Sequence, residues 1–133
     1  MEYRKSYAAL VVFFILYTAA VTVPALLLAD GELATRLTLA IGALGIVALM
    51  AFIRRTERVY WINGVTFEQA RNAGSARRRA FATAHLKPFA IAALGLCLFS
   101  AIMHWRGMPI GWDIAAFCAA LVGAGISTLK IRL

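Results

Sequence analysis

The chain has 133 residues, 62% of them hydrophobic, with a mean hydropathy of +0.79 and a formal net charge of +8. A soluble domain of this size must cover itself with polar side chains, so the composition excludes one. It leaves room for about four helical crossings of a hydrocarbon layer about 30 Å thick, at roughly 20 residues each.

Arg4 and Lys5 precede the first apolar run, residues 6–28. A secretory signal has an apolar core of only about 7–15 residues, so this longer run is expected to remain as an anchor. Thr18, Thr22 and Pro24 lie near its end. Pro24 removes the donor to the Ala20 carbonyl and predicts a bend, with Thr22 placed to satisfy the freed backbone. The tight connection Ala29-Asp30-Gly31-Glu32 makes the second span, residues 33–53, an antiparallel neighbour. Thr38, Gly42 and Ile46 follow one face of that span in four-residue steps.

Residues 54–87 gather much of the polar content of the chain. Arg54 and Glu57 are three apart and placed to pair weakly. Asn63-Gly64 signals a turn, which reads equally as the tip of a short hairpin or the end of a helix. Thr66 and Gln69 match a capping box and predict a short helix through Ala73, ended by Gly74. Ser75 then caps a second helix whose first turn carries Arg77, Arg78 and Arg79. Three cations there oppose the helix dipole unless anions compensate. The triplet reads either as a solvated topology determinant or, with Arg71 and Lys87, as a contact for anionic phospholipid headgroups, a phosphate-bearing ligand or an acidic partner. The caps, the turn and the aromatic residues around it predict that the loop packs as a cap on the bundle.

The third span, residues 88–105, is short, and Pro88 either starts it or bends a longer helix. His85 and Lys87 reach back toward the headgroups in the longer version. After the turn Arg106-Gly107-Met108-Pro109 comes the fourth span, residues 110–129, with two rows of small residues. Ala115, Ala119, Gly123 and Ser127 form one row, and Ala116, Ala120, Ala124 and Thr128 run beside it. Small side chains let helix backbones approach closely in lipid, so the first row and Gly42 are the candidate helix-packing or oligomer face. The helix that meets it belongs either to the same chain or to a second copy. Cys97 and Cys118 fall at similar depth in spans three and four and read as small buried hydrophobes. Trp61, Trp105, Trp112, Tyr3, Tyr7 and Tyr60 lie near span ends, as aromatic belt residues do.

Twelve of the 14 basic residues flank span one, fill the loop or follow span four. Only Arg36 and Arg106 fall on the other side, with Asp30, Glu32 and Asp113. This is the positive-inside pattern, so both termini and the loop are expected in the cytoplasm of a bacterial-type inner or plasma membrane. It also accounts for the charge without nucleic acid. The fold class expected is an all-α membrane protein, one domain over 1–133, with four transmembrane helices in two hairpins and a short structured cytoplasmic loop.

No ionisable group falls at mid-span, where proton relays and ion paths are marked. Span one has no acid after Glu2, and both asparagines, Asn63 and Asn72, are in the loop. Ser100 and His104 share a helix face but have no orienting acid. Met103, His104, Met108, Cys97 and Cys118 are soft donors that do not visibly converge. Nothing here calls for a cofactor, a metal or a catalytic set. The expectation is an accessory or interaction protein whose partners are the bilayer, anionic phospholipid headgroups, and a second copy or another membrane protein. A homo-oligomeric channel or uniporter, and an intramembrane enzyme or cofactor-binding subunit, are the alternatives.

Overall fold

The computed structural model describes residues 4–133, so Tyr3 and the residues before it lie outside the described residues. Five α-helices follow in order: α1 (Ala8–Leu27), α2 (Gly31–Thr56), α3 (Phe67–Asn72), α4 (Ser75–Trp105) and α5 (Gly111–Thr128). A single 3-10 turn, Val59–Trp61, stands between α2 and α3. Four helices, α1, α2, α4 and α5, are long and apolar enough to cross a membrane.

Local chemistry sets the helix ends. Asp30 caps α2, its Oδ1 accepting from the Leu33 amide at 3.0 Å. α4 closes in a Schellman motif: Gly107, at φ 63°, donates to the His104 carbonyl and Met108 to Met103. Pro24 lies inside α1, where the Thr22 hydroxyl bonds the Ala19 carbonyl at 2.8 Å and not the Ala20 carbonyl that proline frees. Pro88 lies inside α4, which resolves the ambiguity left by the sequence: loop helix and third span are one helix of 31 residues. At 1.5 Å per residue it is roughly 46 Å long, about 15 Å more than a hydrocarbon layer, so its first turns project beyond the apolar stretch.

α2 and α4 form the centre. α5 packs on α4 and touches α2, while α1 rests chiefly on α2. A middle core joins Ala43 of α2 with Ala93 and Leu96 of α4, flanked by Ala116, Phe117 and Ala120 of α5. The second small-residue row of α5 therefore supplies the internal seam.

The glycine face of α2 takes Tyr17 of α1. The Tyr17 hydroxyl donates to the Gly42 carbonyl at 3.1 Å, and the Thr38 hydroxyl donates to the Val21 carbonyl at 3.2 Å. A Cβ at residue 45 would lie 2.2 Å from the Tyr17 ring. Gly45→Ala must therefore push Tyr17 off Gly42 and loosen α1, at about 1–3 kcal/mol. Hydrogen exchange in micelles checks this: α1 amides are expected to exchange faster while α4 and α5 keep their protection.

Candidate functional site

The loop between α2 and α4 has its own core. Ile53, Val59, Tyr60, Ile62, Ala70, Phe81 and Ala82 are all buried together where the loop meets α2 and α4. Tyr60 is at its centre, edge-on to Tyr7 at 5.6 Å and to Phe67 at 5.3 Å. Its hydroxyl closes a two-way link with the backbone of Ser6, both contacts at 2.9 Å, and Trp61 Nε1 donates to the same carbonyl at 3.2 Å. The start of α1 is thereby tied to the loop. Tyr60 and the half-buried Trp61 are cap residues more than belt residues. Trp105 and Trp112, at the far end of the bundle, are exposed.

Neither reading of Asn63-Gly64 is what forms. After the 3-10 turn, Val65 donates to the Ile62 carbonyl across a four-residue turn whose third residue, Gly64, has φ 86°. Thr66 and Gln69 make both bonds of a capping box, at 3.1 and 2.9 Å, and start α3. Gly74, not Ser75, is the N-cap of α4.

Ser75 has another use. Its hydroxyl donates to Glu57, which also receives Arg78 through Nε and Nη2 at 3.1 and 2.8 Å and Arg79 through Nε at 2.8 Å. The anion that the cationic first turn of α4 requires is thus a carboxylate from the end of α2. These bonds, Ser75's the largest, hold the Glu57 carboxyl below its ordinary value against the opposing effect of burial. Glu57 adopts a left-handed backbone, φ 60°, to reach this position. Arg78 continues from Glu57 to the carbonyls of Ala70 and Ala73, so it locks α3 between α2 and α4. Arg54 donates to the Thr83 hydroxyl at 2.9 Å.

The candidate basic residues thus divide. Arg78 is half-buried and held within the protein, whereas Arg71, Arg77, Arg79 and Lys87 are exposed. Arg77 also donates to the Leu133 carbonyl at 2.8 Å. It stands beside an open cleft of about 940 Å³ between the loop, one face of α4 and the segment after α5.

The far end holds a feature the sequence reading missed. Arg36, in the second turn of α2, meets Asp113 of α5 at 2.9 Å, their side chains 4% and 2% exposed. Arg36 also donates to the carbonyls of Ser100 in α4 and Met108 in the last connection. One guanidinium therefore joins α2, α4 and α5. Among the described residues, Arg36 Nε and Asp113 Oδ1 have no hydrogen-bond partner. The signal in the sequence was a lone cation four residues into an apolar run, which positional reasoning assigned to the membrane boundary.

Of the helix-packing residues, Gly42 is buried between Tyr17 and Phe117, whereas Ala115, Ala119, Gly123 and Ser127 face outward together. Cys97 and Cys118 are free thiols, and neither is buried as expected: Cys97 is half-buried and Cys118 exposed. No family model matches this chain, and neither a curated protein nor a solved structure gives a significant match.

Proposed function

We propose that this chain is a small integral membrane protein of accessory or interaction type, with both termini and the cap in the cytoplasm, and that the cap holds anionic phospholipid headgroups. The observation that carries this reading is the division of charge between the two ends. Asp113 neutralises Arg36 internally. Of the lysines and arginines at the far end, Arg106 is then the one without an ion-pair partner among the described residues. The loop end, by contrast, exposes Arg71, Arg77, Arg79 and Lys87 as well as Arg4, Lys5, Arg54, Arg55, Lys130 and Arg132. Counting about 30 Å back along α4 from Trp105 brings the inner hydrocarbon edge near His85. Those cations then lie at headgroup depth. The packed cap holds them on a fixed surface, which suits recognition better than a tether does.

A second reading, a homo-oligomer serving as a channel or uniporter, is favoured by the outward row Ala115, Ala119, Gly123 and Ser127, small enough for close approach of a second copy. One experiment addresses both. In nanodiscs mixing phosphatidylglycerol with phosphatidylcholine, native mass spectrometry is expected to find phosphatidylglycerol enriched on the protein. Each basic residue near an anionic surface is worth about 1 kcal/mol, so Arg71→Ala/Arg79→Ala/Lys87→Ala is expected to lower that preference by on the order of 100-fold. Retained lipid matching the bulk ratio in the unmodified protein defeats the reading. The same spectrum reports the copy number.

A further inference from the structure

We infer that the cleft beside Arg77 is a binding site for a single-chain glycerophospholipid, with an anionic phosphate at its outer end and a free hydroxyl beneath. The inference deepens the headgroup reading above and rests on it for the depth of the site. Three observations converge here.

The first is size. The open cleft has a volume of about 940 Å³, at the upper end of the roughly 300–1,000 Å³ usual for small-molecule sites. The second is the order of chemistry along it. Along α4 the lining runs from Arg77 through Phe81 and His85 to Phe89, from the loop toward the apolar stretch of the bundle, and Gln69 and Arg132 line the cleft as well. Guanidinium and amide groups in the lining suit a phosphate, and the apolar residues suit an acyl chain leading into the bilayer.

The third observation is His85. It is only 6% exposed, yet it lines this cleft between the cationic and apolar ends. Its Nδ1 sits 3.0 Å from the Phe81 carbonyl, a contact that requires the proton on Nδ1. In the neutral ring, Nε2 is left as an acceptor, and it has no hydrogen-bond partner among the described residues. An unpartnered acceptor open to the cleft, between a phosphate subsite and an apolar channel, fits a hydroxyl donor at that depth. The free glycerol hydroxyl of a single-chain lipid lies between the phosphate and the chain. In a two-chain lipid the same oxygen is an ester, with no proton to donate.

The test uses the full chain in phosphatidylcholine nanodiscs, with Trp105→Phe and Trp112→Phe so that Trp61, which lines the cleft, reports alone. Titration with lysophosphatidylglycerol is expected to change Trp61 emission saturably. Lysophosphatidylcholine and two-chain phosphatidylglycerol should each bind about tenfold more weakly. Equal binding of the two-chain lipid overturns the single-chain assignment, and inorganic phosphate at millimolar concentration should give no change. His85→Phe keeps the ring packed on Phe81 but removes Nε2, and is expected to weaken binding about tenfold, the worth of one well-placed hydrogen bond. Arg132→Ala, at an exposed position, is expected to weaken it by a similar factor.

A response to inorganic phosphate alone overturns the lipid assignment, and an unsaturable response equal for both lipids overturns the site. Full affinity in both His85→Phe and Arg132→Ala also overturns it. The Arg71→Ala/Arg79→Ala/Lys87→Ala variant separates the two readings, since none of these residues lines the cleft: it should lose lipid enrichment yet keep the saturable Trp61 response.

Discussion

Asp113→Ala is expected to destabilise the protein by about 3–5 kcal/mol, the largest effect of any single substitution proposed. Removing one partner of a buried ion pair leaves the other as an uncompensated charge, and Arg36 is only 4% exposed. Its contacts to the Ser100 and Met108 carbonyls remain, but those neutral acceptors do not replace a carboxylate. The loss should spread, because the guanidinium joins three helices at once. Asp113→Asn keeps an acceptor of the same shape and should fall between Ala and the native residue. The double replacement Arg36→Met/Asp113→Leu is expected to recover much of the loss, since apolar residues of similar volume often substitute for a buried pair at little cost. Thermal unfolding in one detergent, followed by far-UV circular dichroism, checks the series. Single variants that unfold within a degree of the native protein would show that the pair contributes nothing.

What the sequence made legible and what it hid differ in physical kind. The apolar spans required only composition and the length of a bilayer-crossing helix, and α1 and α2 fall within three residues of the expected bounds. The capping box was equally local: Thr66 and Gln69 settle it between themselves. Pro88 left two local readings open, and the longer helix forms because one missing backbone donor costs less than α4 gains by packing on α2 and α5. Ser75 misled for a related reason. The residue has the right chemistry for a cap, but Glu57, 18 positions earlier, offers its hydroxyl a carboxylate. Arg36 and Asp113 are 77 positions apart, and nothing in either neighbourhood names the other. The cleft was hidden similarly, being made where the loop, α4 and the segment after α5 converge. Local signals gave the parts of the cap, and long-range packing decided which of its cations were left exposed.

Glu57→Ala is expected to cost roughly 2–3 kcal/mol, and its effect should be felt mainly in the cap. The carboxylate accepts from Ser75, Arg78 and Arg79, and hydrogen bonds to charged groups are worth about 1.5–3 kcal/mol each when they are well aligned. Arg79 is 64% exposed on its side chain, so its share is small; the Ser75 hydroxyl and Arg78, at 13%, carry most of the loss. Without Glu57, three arginines crowd the first turn of α4, where the helix dipole also opposes them. Part of the penalty is returned, because the residue's left-handed backbone, φ 60°, strains any side chain, and Glu57→Gly relieves that strain. Glu57→Gly should therefore be less damaging than Glu57→Ala, although both remove the same charge. The pH dependence has a fixed sign. The folded-state pKa is depressed, so this stabilisation is present above the ordinary carboxylate range and is lost as pH falls through the lowered value. Trp61 packs against Phe52 and Arg58 within the cap and reports its opening. In the Trp105→Phe/Trp112→Phe background, acid titration should change Trp61 emission only below the ordinary carboxylate range in the native protein. In Glu57→Gln that step should vanish, the cap being loosened already at neutral pH. An acid transition of unchanged midpoint and amplitude in Glu57→Gln would mean that another carboxylate holds the cap to the bundle.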